Sequence, residues 1–359
     1  MIRLGRFDYT LVLIILAIFI IGIGALYSAT YQNSTQLFDG ATGRQIVWMG
    51  LGFAAFFLIA NVPYHRLLSG AWLFYFICLI FLGLVLVMGH TRGGATRWIQ
   101  IGSFSLQPSE FTKIGLILLL SSYLSNNRVE LRRIRPIMGV FLLMLIPFAL
   151  ILIEPDLGTA VVLIPIAFAM LYAAGANARY LLYIFIAGVA TSPIFWSLLK
   201  DYQKQRLMVF INPNIDPLGA GYTIIQSKIA IGSGGLLGKG WLSGTQNQLN
   251  FLPERHTDFI FSVIGEEWGF LGGAILLFLY LLLIWRILRI ATGTQDLYGQ
   301  LLCVGVATMI SFQIIVNIAM TIGLMPVVGM PLPLISYGGS SLLNTMIGMG
   351  ILMSVSARR

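Results

Sequence analysis

The sequence predicts an all-α, polytopic integral membrane protein of about ten transmembrane helices, and three observations predict it. Of 359 residues, 58% are hydrophobic and only 10% are charged, where a soluble domain carries about 25% charged residues. Apolar stretches near the length of about 20 residues needed to span a bilayer follow one another almost end to end, so no large soluble domain fits between them. The arginines, finally, collect at alternate ends of these stretches.

Taken in order, the predicted helices cover 8–28, 45–61, 71–89, 108–124, 136–153, 157–175, 180–200, 259–285, 298–324 and 338–356. Arg3 and Arg6 precede the first apolar run, Tyr9 to Leu26. That run is longer than the core of a signal peptide, so it reads as an uncleaved first helix. An even number of crossings puts both termini on one side. Arg3, Arg6, Arg66, Arg128, Arg132, Arg133, Arg135, Arg179, Arg286, Arg289, Arg358 and Arg359 fall on the side of the termini, against Arg44, Arg92 and Arg97 in the short loops opposite. Positive residues favour the cytoplasm, which places both termini there. Residues 1–359 then form a single transmembrane domain. Its longest connection, 201–257, is an outer loop between helices 7 and 8 with apolar segments of its own at Tyr222–Ile225 and Ile229–Ile231.

The net charge of +9 is accounted for by arginines that anchor topology beside anionic lipid headgroups, and nucleic-acid binding drops out. Cys78 and Cys303 lie in apolar runs and read as packing residues. His65, His90 and His256 are scattered, against a three-histidine metal site. The run Gly232–Gly240, GSGGLLGKG, fails the phosphate-loop spacing at Ser233 and Gly240 and the dinucleotide spacing at Leu237. It reads as a glycine-rich turn at a helix end. No internal repeat supports an inverted-repeat transporter.

The carboxylates are distributed unlike the arginines. Asp8, Glu130 and Asp296 fall on the cytoplasmic side, and the others in outer loops or outer halves of helices. In LPERHTDFIFSVIGEEWGF, Asp258, Ser262, Gly265 and Gly269 recur at helical spacing as a small and polar stripe. An acid there is either a functional group facing the bundle interior or a helix cap. In QPSEFTKIG, Glu110 and Lys113 stand at i, i+3. They form either a pair that fixes packing or a cation held ready for an anionic ligand. Asp156 of EPDLG is placed to cap the following helix. Gln313, Asn317 and Thr321 make a polar stripe, lining a path or bonding helix to helix. Trp98 sits in an outer loop, where aromatic anchoring is the plain alternative. A segment with three prolines and three glycines, Pro326 to Ser341, can lie at membrane depth only against protein or a wet cavity. Such an outer cavity with an acid and cations suits a lipid pyrophosphate, whose tail stays in the bilayer.

LPERHTDFIFSVIGEEWGF, QPSEFTKIG, GAGYTIIQSKIAIGSGGLLGKGW, EPDLGTA and PLPLISYGGSS together resemble the SEDS family (shape, elongation, division and sporulation proteins) over roughly residues 8–357. The short N-terminal tail and Arg255 fit its rod-shape branch. The resemblance implies a peptidoglycan glycosyltransferase that polymerises lipid II into β-1,4 glycan strands at the periplasmic face of the bacterial inner membrane during cell elongation, inverting a lipid-pyrophosphate-linked donor, with 201–257 as a periplasmic loop. The family's catalytic aspartate falls on Asp258, its Glu/Lys pair on Glu110 and Lys113, and its outer-loop tryptophan on Trp98. Arg206 joins these as a substrate-binding cation. The resemblance also implies a divalent cation, Mg or Mn, whose ligands it leaves open although Asp258 is one candidate. The implied partners are lipid II, a class B penicillin-binding protein (a transpeptidase), other membrane proteins of the elongation complex, and membrane lipids. A lipid II flippase and a scaffold for the transpeptidase are the rival expectations.

Overall fold

The computed structural model describes residues 7–31, 40–92, 95–101, 104–126, 131, 133–216 and 219–358. Arg3, Arg6, Arg128, Glu130, Arg132 and Arg359, used above in the charge pattern, lie outside them.

A helix occupies each predicted stretch. In chain order these are α1 (Tyr9–Thr30), α2 (Ala41–Asn61), α3 (Tyr64–Met88), α4 (Pro108–Asn126), α5 (Ile134–Ile153), α6 (Leu157–Ala173), α7 (Ala178–Ala190), α8 (Ser192–Leu198), α9 (Asp201–Ile211), α10 (Ala220–Ser233), α11 (Thr245–Gln248), α12 (Ile260–Gly293), α13 (Leu297–Thr321) and α14 (Gly339–Ser356). Seven of them, α1, α2, α3, α5, α12, α13 and α14, are long and apolar enough to cross a membrane. α6 and α7 are apolar but only 17 and 13 residues long. α4 is too polar for that test because it is the inner helix. It carries Ser109, Glu110, Thr112, Lys113, Ser121 and Ser122 and is buried on nearly every side, as a helix enclosed by other helices is. It packs against α3, α6, α13 and α14, while α12 runs beside α1 and α13. On the outside, α3 presents Leu73, Ile80 and Val87, a surface for lipid. The chain is a multi-pass membrane protein.

The two ends of the bundle are chemically distinct. At one, Asp8 caps α1, meets Arg286 at 2.8 Å and accepts from Ser356 at 3.3 Å. The start of α1 and the end of α14 therefore lie together. Glu154, Asp156 and Asp258 gather at the other end.

Four features depart from the sequence reading. The seventh predicted helix is two, α7 and α8, because Pro193 at the start of α8 has no N–H to continue the ladder. The region after α3 is not helical or irregular but a three-stranded antiparallel sheet, β1 (His90–Arg92), β2 (Ala95–Ile101) and β3 (Phe104–Leu106), with Trp98 opposite His90. The segment 201–257 is not a plain loop but holds three helices, α9, α10 and α11. Asp258, predicted at the head of a helical stripe, sits in the turn before α12, and Gly269 of the same stripe breaks that helix with φ +65°.

The break explains the glycine run. Around Gly269 the helix loses its own ladder, and the run supplies a substitute. Lys239 and Gly240 N–H donate to the carbonyls of Glu266 and Glu267 (3.0 Å each), while Phe270 and Leu271 N–H donate to Gly235 and Leu236 (2.8 and 3.1 Å). The approach is backbone to backbone: a Cβ on Gly238, whose φ is +81°, would stand 2.1 Å from the Glu267 carbonyl. Glycine is required where chains meet this closely in the left-handed region.

The loop is fastened at a second level by carboxylates. Glu266 accepts from Lys239 Nζ (2.8 Å) and from the backbone of Gln246 and Asn247 (2.9 and 3.2 Å). Glu267 accepts from Ser28 Oγ of α1 (2.5 Å) and Asn247 Nδ2 (3.1 Å). Arg255 completes the tie, donating to Ala29 O (2.7 Å) and to Asn247 O. These bonds fix the direction from which the chain enters the turn at Asp258.

Candidate active site

Asp258 stands in a tight turn. Glu254, held at φ +49°, offers its carbonyl to the N–H groups of Thr257, Asp258 and Phe259 (3.2, 3.1 and 3.3 Å). The cap of α12 is Phe259, with no side-chain hydrogen bond, so the capping alternative for Asp258 does not hold. Its side chain keeps some exposed surface, and no described residue donates a hydrogen bond to its carboxylate.

The surroundings set its charge state. Burial comes first and pushes the Asp258 carboxyl up, the carboxylate of Glu254 adds to this, and Arg206 and Arg97 oppose it; the outcome is a pKa of about 6. An acid so poised is ionised at neutral pH yet close enough to accept a proton usefully.

The segment between α13 and α14 forms the wall behind it. Gly329, at φ +71°, comes so near that a Cβ there would lie 3.4 Å from Asp258 Oδ2. Arg206, on α9, donates to Val327 O at 3.3 Å. From the other side Gly158 of α6 packs against Val328, where a Cβ would sit 2.8 Å from the carbonyl oxygen. Thus α6, α9, the Pro-rich segment and the turn before α12 converge on one place.

Asp156 is the second acid there. It caps α6 through Thr159 N–H (3.3 Å), as its position in the sequence indicated. Its other oxygen accepts from Gln107 Nε2 (2.7 Å) and Ser109 Oγ (3.3 Å), and it pairs with Arg97 at 3.3 Å. This links β2, α4 and α6. Beside it Glu154 is 1% exposed, and neither carboxylate oxygen has a hydrogen-bond partner among the described residues. Burial above all, then Asp156, pushes its carboxyl up to about 8, against the pull of Arg97.

The structure thus brings Asp258 and Arg206 together. Trp98 lies on β2 next to Arg97, part-buried. Glu110 and Lys113 meet each other at 2.8 Å, one turn along α4 from the Ser109–Asp156 contact. Both are buried, and neither is among the charges that act most on Asp258. Sequence reasoning passed over Arg97, counted only as a loop charge, and Glu154 and Glu254, counted only as outer acids. The one available signal was that all three adjoin residues already singled out.

Among the described residues no group of three or more His, Cys, Asp or Glu could hold a metal ion by itself. Magnesium is commonly held by one or two carboxylates together with substrate phosphates rather than by an all-protein cage. Asp258, with no donor on its carboxylate and Glu254 nearby, suits such a role.

The chain is similar to known proteins along nearly its whole length. Residues 9–359 match the cell cycle protein family that takes in FtsW, RodA and SpoVE. The peptidoglycan glycosyltransferase MrdB of Escherichia coli (strain K12) is 42% identical over 353 residues, which cover 98% of this chain and 94% of that protein. The peptidoglycan glycosyltransferase RodA of Treponema pallidum (strain Nichols) is 37% identical over 435 residues, covering 98% of each. A chain from a solved structure on the coordination of polymerization and crosslinking by a peptidoglycan synthase complex superposes with a TM-score of 0.84 at 37% identity, over 98% of both chains. The rod shape determining protein RodA of Thermus thermophilus gives a TM-score of 0.73 at 32% identity, over 98% of this chain and 97% of that one. With the match running from α1 to the last residue, this chain belongs to the FtsW/RodA/SpoVE family of cell cycle proteins.

Proposed function

We propose that this protein is a peptidoglycan glycosyltransferase of cell elongation, polymerising lipid II into β-1,4 glycan strands at the periplasmic face of the bacterial inner membrane, with both termini in the cytoplasm. The observation that carries this reading is Asp258: a partly exposed carboxylate with no hydrogen-bond donor, set between two acids and two arginines, with a pKa of about 6.

The chemistry needs such a group. A sugar hydroxyl is a weak nucleophile until a base takes its proton during attack. The Asp258 carboxylate accepts that proton from the 4-hydroxyl of the acceptor, an effect worth about 10²–10⁴-fold. The alkoxide oxygen bonds to the anomeric carbon of the donor as the bond to pyrophosphate breaks. One displacement inverts the α-linked donor into a β bond. Arg206 and Arg97 face the place where negative charge collects on the leaving group, and guanidinium forks suit phosphate oxygens. Trp98 beside Arg97 offers a flat apolar surface to the substrate. The Glu110–Lys113 pair holds α4 beneath the site. When bound, a Mg or Mn ion held by Asp258 and the substrate phosphates would neutralise part of the leaving group's charge.

The likeness to a chain from a peptidoglycan synthase complex supports a transpeptidase partner, here of the class B penicillin-binding type. The flippase alternative shares the bundle and its buried polar groups. Reconstitution of the purified protein with lipid II, with and without Mg or Mn, separates the readings. Polymer made by wild type and not by Asp258→Asn supports the enzyme. Leaflet transfer without polymer, or polymer from Asp258→Asn at the wild-type rate, overturns the assignment. Glycan synthesis that survives Asp258→Ala only in the complex with the transpeptidase would make the protein a scaffold.

A further inference from the structure

The turn carrying Asp258 is gripped from outside at three successive carbonyls. His256 O accepts from the backbone N–H of Tyr337 at 2.9 Å. Thr257 O accepts from Ser336 Oγ at 2.5 Å. Asp258 O accepts from Asn317 Nδ2 at 2.9 Å. The three donors come from two separate elements, α13 and the Pro-rich segment.

Each donor is itself fixed. Asn317 is fully buried on α13, and its Nδ2 donates a second bond to Met330 O at 2.7 Å. One amide therefore ties the turn before α12 to the segment before α14. Ser336 Oγ accepts from Leu332 N–H at 2.8 Å. Ser336 O accepts from Gln45 Nε2 of α2 at 3.1 Å, and Gln45 Oε1 receives the N–H of Gly338 at 3.4 Å. The segment so braced also carries Gly329, which faces the Asp258 carboxylate, and Val327, which receives Arg206. The acid, its wall and its cation are thereby set in one frame.

Resting on the reading of Asp258 as the base, we propose that Asn317 and Ser336 are positioning residues: by holding the Asp258 and Thr257 carbonyls against the Pro-rich segment they fix where the carboxylate stands relative to the substrate's hydroxyl. Neither side chain touches the carboxylate. They act through the backbone, in a turn whose own backbone N–H groups, those of Thr257, Asp258 and Phe259, all converge on one carbonyl, that of Glu254, and so leave its far side to be held from outside. Asn317 suits the task because its amide presents two donors to two carbonyls. An aspartate of the same shape has none to offer when ionised. Ser336 suits it because a hydroxyl donates and accepts at once.

A loosened base loses turnover before it loses substrate, since a displacement of about 1 Å can cost about 10²-fold in rate. The experiment takes the full-length protein, reconstituted with lipid II, as wild type, Ser336→Ala, Ser336→Thr, Asn317→Leu, Asn317→Asp and Asp258→Asn. The expectation is that kcat falls by about 10- to 100-fold in Ser336→Ala and both Asn317 variants, with KM for lipid II within about twofold of wild type. The acid limb of the pH–rate profile moves in the same variants, because Asp258 shifts against Glu254, Arg97 and Arg206. Ser336→Thr, which keeps the hydroxyl, recovers most of the rate. A merely structural role would lower the yield of folded protein and leave kcat and the acid limb of the folded fraction unchanged, and that result overturns the proposal. If Asn317 variants do not fold, the Ser336 pair decides alone. Wild-type turnover in Asp258→Asn would instead count against the base itself, whereas an inactive Asp258→Asn beside a fully active Ser336→Ala sinks the clamp and spares the base.

Discussion

Lys113 Nζ lies 2.8 Å from Glu110 Oε2, one turn away on α4, and the two side chains are 1% and 4% exposed. Two charges enclosed by an inner helix are tolerable only as a pair. Lys113→Ala leaves a buried carboxylate without its partner and is expected to destabilise the protein by about 3–5 kcal/mol. The double variant Glu110→Gln with Lys113→Met removes both charges and should recover most of that stability. Thermal unfolding in detergent of the single and double variants checks this, and equal losses in both would contradict it.

The pH dependence of polymerisation should reflect Asp258. Because burial and Glu254 hold its carboxyl at about 6, the base is progressively protonated, and the rate falls, as pH drops through that value. Glu254→Gln removes a negative neighbour, so the Asp258 pKa falls and the acid limb moves to lower pH. Initial rates between about pH 5 and 8 on both proteins measure the shift. An acid limb that stays in place, or moves upward, would remove Glu254 from the account.

Glu154 carries a stability signature. Its carboxyl is raised from 4.5 to about 8, so between those values the folded state retains a proton that the unfolded state has lost. Stability therefore falls as pH rises through this window and levels off above it. Glu154→Gln keeps the neutral shape and removes the titration. The variant should match wild type near the lower limit and exceed it by a few kcal/mol, order of magnitude, above the upper one. Unfolding midpoints across the window are the measurement, and parallel curves would show that Glu154 does not titrate there.

Gly238 joins a left-handed backbone to a close approach of the glycine run to the break in α12. Gly238→Ala combines a left-handed φ of +81° with a Cβ 2.1 Å from the Glu267 carbonyl. The run must then move off the helix, at a cost of at least about 1–3 kcal/mol. Hydrogen exchange should report faster opening at Lys239, Gly240, Phe270 and Leu271, the four amides that bridge the break. Unchanged protection at these amides would mean the run does not support the helix.

The membrane architecture was legible in the sequence because it is written in composition. Lipid-facing helices need long apolar stretches, and α1, α3 and α5 carry them without interruption. α4 is the instructive case. Its polar residues would disqualify it as a solitary span, yet the structure surrounds it with other helices, so each polar group meets protein. The Asp156 cap was readable too, since capping depends on neighbours in sequence. The small sheet was not predicted: its longest strand, Ala95–Ile101, is short, shows no clean polar–apolar alternation and lies between strongly apolar helices.

What the sequence by itself determined is local: which stretches are apolar, which turns cap helices, and which charges stand one helical turn apart. Asp258, Glu110 and Lys113 could be singled out on those grounds, whereas Trp98 and Arg206 entered as site residues with the family resemblance. Tertiary structure alone decided how they group. It set Arg97 and Arg206 near Asp258, kept the Glu110–Lys113 pair to itself, and laid residues 317, 336 and 337 on the carbonyls of 256–258. The physical reason is that a hydrogen bond or a charge acts over a few ångströms in space, and separation along the chain says nothing about which distant residues the packing of helices will bring that near.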